Sequence, residues 1–179
     1  MIDPLEIRLA TPADLPTLHE LLPLSVRGLS RDYYSSAQIE AAICYIFGPD
    51  TQLIADSTYF VAESAGRIVG CGGWSRRRTL FGGDQMKTAE DPLLDPRAEA
   101  ARVRAFFVHP DWARRGVGRR ILEACTIAAR AAGFARIELV ATLPGEPLYR
   151  AFGCEVLERF EAQMADGSTL PVVRMTRAL

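Results

Sequence analysis

A strand-like run that ends in a loop of arginines and glycines constrains this chain more than any other feature of its sequence. The apolar run covers residues 103–109 and stops at Pro110, which has no N–H for a sheet ladder. The loop over residues 114–118 follows, and an amphipathic helical pattern starts directly from it. Since the first turn of a helix carries unpaired N–H groups and partial positive charge, this arrangement predicts a binding site for a bulky anion such as a pyrophosphate.

The spacing of the two loop glycines, Gly116 and Gly118, excludes two familiar phosphate motifs. It does not fit the G-x-G-x-x-G of dinucleotide-binding folds, and no Gly-Lys-Ser/Thr follows as it would in a Walker loop. The structural alternative is a tight turn between a strand and a helix that binds nothing. The neighbouring Arg114 and Arg115 add counter-charge and favour the anion site.

Composition limits the class of protein. The 179 residues carry a net charge of −1, which argues against partners held mainly by charge, such as nucleic acids or membrane surfaces. A chain of this length fits one domain with a full core, so we expect a single domain over residues 1–179. No segment approaches the roughly 20 apolar residues of a membrane span and no basic leader is present, so we expect a cytoplasmic protein.

The four cysteines predict buried free thiols and no metal site. They form no C-x-x-C pair, and only two histidines accompany them. Three of the four lie in apolar patterns, where cysteine behaves as a small hydrophobic residue. The four are Cys44, Cys71, Cys125 and Cys154.

Cap signals mark two helices near the N-terminus, after a short strand at residues 6–10. Residues 11–14 read Thr-Pro-Ala-Asp, with an N-cap, a proline at the first helical position and an acid three residues after the cap. We expect Pro23 to limit this first helix. Residues 35–38 form a second cap of the S-x-x-Q type, for a helix that stops at residues 48–49.

The rest of the chain alternates between strands and helices. A glycine-containing turn at residues 64–67 joins two strand-like runs into a hairpin, and residues 76–97 form a polar surface excursion that could act as a mobile flap. After the loop helix come a strand, a short helix and a hairpin around residues 166–167. The predicted order is β-α-α-β-β-β-α-β-α-β-β, which is a mixed α/β domain.

The loop and the element order together resemble the GNAT (Gcn5-related) N-acetyltransferase superfamily. Its acetyl-CoA loop reads Q/R-x-x-G-x-G/A after the fourth strand; Gly116 and Gly118 match its glycines, whereas Ala113 stands where Gln or Arg is usual. A second match is Tyr149, in a segment similar to the family's x-x-x-Y-x-x-x-G-F, although Cys154 stands where Phe is commonest. The resemblance covers nearly the whole chain.

The resemblance implies a fold and an activity. The fold is a mixed, mostly antiparallel central sheet flanked by helices, with splayed fourth and fifth strands. The activity is N-acetyltransfer from acetyl-CoA to a primary amine of a small molecule, by direct attack in a ternary complex and without a metal. Acetylation of a protein or peptide amine remains an alternative, as does a non-catalytic acetyl-CoA sensor. We expect no nucleic-acid or membrane partner, and exposed strands would allow a homodimer.

The resemblance also assigns roles to individual residues. Tyr149 would protonate the leaving thiolate, since phenols and thiols have neighbouring pKa values of about 10 and about 8.5, and the backbone N–H near Val108 would face the thioester oxygen. The acceptor pocket would use Tyr33, Tyr34 and Trp74. The residues expected to bind the donor are Phe107, Val108, Arg114, Arg115, Gly116, Val117, Gly118 and Arg119.

No residue stands out as the general base for the acceptor amine. His109 begins a proline-containing loop, at a position where the family often has a polar residue with no chemical role. Asp84, Asp91 and Glu99 are candidates, and a chain of water molecules is an equal one.

Overall fold

The computed structural model describes residues 4–87 and 90–179, and within them seven strands form one open sheet. The spatial order is β1-β2-β3-β4-β5-β7-β6, and only β4 and β5 pair in parallel. This confirms the predicted mixed, mostly antiparallel sheet. The strands are β1 (Glu6–Leu9), β2 (Tyr59–Ser64), β3 (Arg67–Ser75), β4 (Ala101–Val108), β5 (Arg136–Thr142), β6 (Glu155–Gln163) and β7 (Thr169–Ala178).

Helices cover both faces of the sheet. The apolar stripe of α4 packs mainly against β3 on one face, around the buried side chains of Ile121 and Cys125. The first two helices pack over the other face, around Leu18 and Ala42. The helices are α1 (Leu15–Ser30), α2 (Ser36–Tyr45), α3 (Thr51–Ala55), α4 (Val117–Ala131) and α5 (Glu146–Ala151).

Both predicted helix caps form, and the structure corrects two details. At the second cap, the Ser35 hydroxyl accepts from the N–H of Gln38 at 3.2 Å and the Gln38 side chain accepts in return from Ser35 N–H at 3.0 Å. Pro23 does not limit α1, which continues to Ser30, because a proline removes a single N–H and the flanking turns are held by packing. The short helix α3 was not predicted; five residues carry too little periodicity, although Asp50 caps it.

Strands β4 and β5 separate soon after they meet. They pair only where residues 101–103 face residues 137–139. Beyond Val103 a bulge redirects β4, since Ala105 and Phe106 together face Gly72 of β3, and Ala105 has a φ of 60°. The two strands therefore leave an open wedge on the carboxyl side of their shared pairing, as the predicted splay requires.

The predicted excursion is a tethered segment, which we call the strap (residues 76–100, described here for 76–87 and 90–100). An isolated bridge joins Arg77 to Leu93 within it. The N–H of Gly83 donates to the carbonyl of Ile46 at 2.8 Å. The bridge therefore pairs the strap with itself, and the bond to Ile46 holds it against the turn between α2 and α3.

A buried ion network anchors the strap to β4. Arg104, almost fully buried, donates to the Asp50 carboxylate at 2.7 Å and to the Thr79 carbonyl at 2.6 Å. Lys87 of the strap also binds Asp50, and the Asp91 carboxylate lies 3.8 Å from Arg104. Removing one charge from such a network leaves its partners buried and uncompensated.

Asp50→Ala is therefore expected to destabilise the protein by about 3–5 kcal/mol, the usual cost of stranding a buried charge. Asp50 is 0% exposed and binds both Lys87 and Arg104, so the substitution removes the counter-charge that these two cations share. Urea unfolding would measure the loss, with Asp166→Ala as the control, since that exposed carboxylate only bonds Ser168 in a hairpin turn. A loss below about 1 kcal/mol for Asp50→Ala would show that the network is not an anchor.

The cysteine prediction is confirmed for three residues: Cys71, Cys125 and Cys154 are buried free thiols, whereas Cys44 is exposed. Among the described helices, none combines the length and the hydropathy needed to cross a bilayer.

Candidate active site

A cavity of about 560 Å³ occupies the wedge between β4 and β5. At one end it reaches the N-terminus of α4, and at the other it passes beneath α1 and the strap. Tyr149 lines the cavity together with the redirected part of β4. The anion loop, the tyrosine and the splayed strand, which are far apart in sequence, therefore face one space.

Unpaired backbone N–H groups gather at the α4 end of the cavity. Within the described residues, no hydrogen bond is made by any N–H from Arg114 to Arg119, and the first internal partner of the turn is Arg120, which donates to Gly116 at 3.0 Å. Arg114 and Gly116 both have a left-handed backbone, with φ of 64° and 82°, a conformation that recurs in the backbone concavities that bind anions. The helix dipole adds positive potential, so this end of the cavity is suited to a phosphate-bearing ligand.

Tyr149 lies on α5 with its side chain against the cavity. It is 7% exposed and packs edge-on against Phe106, with ring centroids 6.1 Å apart. No described residue hydrogen-bonds its hydroxyl, which leaves the O–H free for a ligand. Burial, and then the neighbouring Cys154 and Cys125, raise the pKa of Tyr149 well above the ordinary value for a phenol.

The backbone N–H of Val108, expected to face the thioester oxygen, already has a partner. It donates to the Ser25 hydroxyl at 3.1 Å, and Ser25 is a buried residue of α1 that lines the cavity. Close packing brings the helix there: a Cβ on Gly28 would lie 2.3 Å from the Pro110 side chain, so glycine lets α1 approach the segment that follows β4. No described residue accepts a hydrogen bond from the Ser25 O–H itself.

The half of the cavity beneath α1 and the strap, which we call the acceptor arm, is mainly apolar. Tyr33 stands at its edge and is 50% exposed. Phe47 and Phe107 meet edge-on inside it, with ring centroids 5.8 Å apart. Phe81 of the strap closes one side.

Three predicted site residues lie outside the cavity wall. Tyr34 is buried and connects β7 to the loop after β5, because its hydroxyl donates to the Pro171 carbonyl at 2.6 Å and accepts from Leu143 N–H at 2.8 Å. Trp74 packs against Phe134 in the core beneath α4. The Arg115 guanidinium lies over the Trp112 ring, 5.4 Å from its centroid. The other predicted residues line the cavity: Tyr33, Phe107, Val108, Arg114, Gly116, Val117, Gly118, Arg119 and Tyr149.

None of the candidate bases lines the cavity. Asp84 binds Lys87 and the N–H of Thr51, Asp91 accepts from the N–H of Thr79, and Glu99 accepts from the N–H of Asp95. His109 also lies outside the wall, and its Nδ1 accepts from Asp111 N–H at 3.2 Å. Within the described residues, no group of three or more His, Cys, Asp or Glu side chains is placed to hold a metal ion.

Sequence reasoning missed Ser25 and Phe81. Ser25 is a single serine in a leucine-rich helix, and a serine there is ordinarily neutral. Phe81 stands in a polar stretch with two glycines after it. An isolated aromatic residue in such a stretch indicates a side chain that packs against another part of the protein, but nothing in the local sequence indicates which part.

Comparison with known proteins decides the family. A family model of the GNAT acetyltransferase domain matches residues 55–155, more than half of the chain. The chain belongs to the GNAT acetyltransferase family. The predicted resemblance is therefore confirmed, and the α4 loop and β4 lie within the matched range. No protein of curated function matches the sequence.

Solved GNAT structures share this fold over their whole length. A GCN5-related N-acetyltransferase from Rhodopseudomonas palustris is 21% identical, with a TM-score of 0.73 over 100% of this chain and 98% of that one. A PaiA N-acetyltransferase from Thermoplasma acidophilum, solved with coenzyme A, is 16% identical, with a TM-score of 0.67 over 98% and 99%. A putative acetyltransferase from Salmonella typhimurium, solved with acetyl-CoA, is 15% identical, with a TM-score of 0.61 over 98% and 94%.

Proposed function

We propose that this GNAT protein transfers the acetyl group of acetyl-CoA to the amine of a small molecule, by direct attack in a ternary complex. One observation carries the proposal: residues 114 and 116–119, whose N–H groups are unpaired, and Tyr149, whose hydroxyl has no partner among the described residues, line a single cavity. Acetyl transfer from acetyl-CoA requires both: an anion site to bind the pyrophosphate of CoA and a proton donor for the leaving thiolate. The family neighbours solved with coenzyme A and acetyl-CoA support the choice of donor.

The described residues suit such a donor. The pyrophosphate would lie on the amides of Arg114–Arg119, with the guanidinium groups of Arg114 and Arg119 nearby. The pantetheine arm carries amide groups, and β4 and β5 offer it unpaired strand edges where they diverge after Val103. This path leads the thioester toward Val108 and Tyr149.

Tyr149 would return a proton to the sulfur as the thioester breaks. A thiolate released into apolar surroundings would be a strong base, because burial raises the pKa of a thiol, as it does for Cys154 near Tyr149. The same apolar surroundings raise the pKa of Tyr149. The pKa values of the phenol and of the leaving thiol therefore remain similar, which is the condition for efficient general acid catalysis.

Ser25 would donate the hydrogen bond that stabilises the developing oxyanion. Its oxygen accepts from Val108 N–H, which polarises the O–H and leaves it free to donate into the cavity. The donor to the oxyanion would then be the Ser25 O–H, in place of the expected backbone N–H of Val108. Such a preorganised donor stabilises charge that develops only in the transition state.

The strap favours a small acceptor over a peptide. A peptide amine needs an open groove, and here Phe81 and the following glycines close one side of the acceptor arm. The strap is held in that position by Lys87, which binds Asp50, and by the Thr79 carbonyl, which accepts from Arg104. Acetylation of a peptide would require this contact to open.

Release of free CoA thiol from acetyl-CoA, measured with a panel of amines, tests the function. Turnover with a small amine and none with a peptide N-terminus is expected. Binding of acetyl-CoA without turnover on any amine would instead indicate the sensor. A thermal shift detects that binding, since a ligand at 100 times its Kd adds about 2.7 kcal/mol of stability.

Gly116→Ala is expected to weaken acetyl-CoA binding by about tenfold. Gly116 has a φ of 82°, and an L side chain there costs roughly 1–2 kcal/mol, which would turn the loop N–H groups away from the anion. Titration calorimetry with CoA would measure the change. Gly167→Ala is the matched control, because Gly167 has a φ of 85° and equally open surroundings but lies in the β6–β7 hairpin. Equal CoA affinity of the two variants would remove the loop from the donor site.

A further inference from the structure

We propose that the acceptor is a monoamine with an apolar, uncharged body, such as an arylalkyl or alkyl amine. This inference rests on the proposed function and names the substrate class of the same site. It comes from the chemistry of the acceptor arm. The wall is apolar, and it offers no opposite charge to a second ionic group on the acceptor.

The wall of the acceptor arm is built from aromatic and aliphatic side chains. Its main members are Val26, Leu29, Phe47, Phe81, Phe107 and Leu170. They come from α1, the turn after α2, the strap, β4 and β7, so the apolar surface surrounds the space instead of forming one side of it. A hydrocarbon or aromatic body that fills such a space gains by leaving water.

The same wall offers no partner to a second charge on the acceptor. Among the described residues that line the cavity there is no Asp, Glu, Lys or His; the titratable or charged groups are Tyr33, Tyr149, Arg104, Arg114 and Arg119. A second ammonium group would lose its hydration without a carboxylate to replace it. A carboxylate on the acceptor fares no better. Arg104 already binds Asp50 and Thr79, and its Nη2, which makes no hydrogen bond, lies 3.8 Å from the Asp91 carboxylate, so its charge is already compensated. The other two arginines lie at the donor end.

Because no Asp or Glu is among the described residues that line the cavity, the amine has no acidic side chain there to take its proton. With no acidic side chain in the wall to accept it, the acceptor has to enter as the neutral amine. An alkylamine, with a pKa near that of lysine at about 10.4, is then mostly unreactive at pH 7. Since the neutral fraction of such an amine grows tenfold per pH unit, its kcat/KM is expected to rise about tenfold for each unit between pH 7 and 9. An amine whose nitrogen is bonded directly to an aromatic ring is neutral throughout this range and should show no such rise.

Two matched pairs of amines test the substrate class. Hexylamine and hexamethylenediamine have the same chain length and differ in one amine; phenethylamine and phenylalanine differ in one carboxylate. For each pair, kcat/KM of the first is expected to exceed that of the second at least tenfold. A diamine or an amino acid that is the better substrate would overturn the inference while leaving acetyltransfer intact. Failure of every amine, with acetyl-CoA still bound, would overturn the proposed function itself.

Phe81→Asp tests the wall directly. A carboxylate at this position supplies the missing counter-charge, so the variant should lower kcat/KM for hexylamine and raise it for hexamethylenediamine, each about tenfold. Phe81→Leu keeps the wall apolar, so it should change kcat/KM for hexylamine and for hexamethylenediamine by the same factor and leave the preference between them as in the wild type. Phe81 is only partly buried, so the charge is compatible with folding, and circular dichroism would verify it. An unchanged diamine preference in Phe81→Asp would show that the acceptor body does not lie in this arm.

Discussion

Replacing Tyr149 with phenylalanine is expected to lower kcat about a hundredfold while the affinity for CoA stays within about twofold. The change removes only the hydroxyl, which has no protein partner among the described residues, and keeps the ring packed against Phe106. General acid catalysis commonly contributes 10²–10⁴-fold, and here the leaving thiolate would depart unprotonated. Steady-state kinetics and CoA titration of the same preparation would separate the two effects.

Tyr34→Phe is the matched control for Tyr149→Phe. Tyr34 is also a buried tyrosine, but its hydroxyl joins Pro171 and Leu143 outside the cavity. This variant should lose roughly 1–3 kcal/mol of stability and keep its kcat, because it leaves a partly buried carbonyl and a partly buried N–H unpaired. Equal kcat for wild type and Tyr149→Phe would exclude Tyr149 as the acid.

The pH dependence gives a second readout for Tyr149. An acid must carry its proton to act, and burial raises the pKa of Tyr149 above the ordinary value, so its protonated form persists through pH 10. We therefore expect kcat to show no alkaline decline below pH 10. A decline near pH 8 in wild type that disappears in Tyr149→Phe would contradict the raised pKa.

Ser25→Ala is expected to lower kcat about a hundredfold with little change in the KM for acetyl-CoA. Loss of one oxyanion donor typically costs 10²–10³-fold in kcat, and the donor acts only on charge that develops in the transition state. The alternative makes the opposite prediction. If Val108 N–H were the donor, Ser25→Ala would free it and leave kcat unchanged or higher.

Two further variants keep the Ser25 test interpretable. Ser25→Cys retains a weak donor of similar shape and should recover part of the lost rate if the O–H is the donor. Thr126→Val removes a helix hydroxyl that donates to the Glu123 carbonyl on α4 outside the cavity wall, and it should leave kcat within about twofold. Full activity in Ser25→Ala would exclude this hydroxyl from catalysis.

The donor end of the site could be predicted from sequence because its determinants are local. The proline that ends β4, the left-handed Gly116 and the amphipathic start of α4 lie within one continuous stretch of chain. Each works through backbone geometry that neighbouring residues define. The hairpins, the second cap and the three buried cysteines were predictable for the same reason.

The acceptor end could not be predicted because its members meet only in three dimensions. Tyr34 and Trp74 carried the right chemistry for a pocket, yet the fold turns Tyr34 toward Pro171 and Trp74 toward Phe134. An aromatic residue gives no local signal of which side of a helix or sheet will be the core. The strap shows the same limit, because its polar sequence indicated an excursion, and only the bonds of Lys87 to Asp50 and of Thr79 to Arg104 reveal where it is held.

The sequence by itself determined the family, the mixed sheet and the strand–loop–helix unit that offers an anion its unpaired N–H groups. Tertiary structure alone decided which surface faces that unit. The contact between Val108 and Ser25 joins residues 83 positions apart, and the one between Arg104 and Asp50 joins residues 54 positions apart. Local backbone geometry is determined by residues that are adjacent in sequence. The wall of a cavity depends on how separate elements pack, and such long-range packing leaves no pattern in a single sequence.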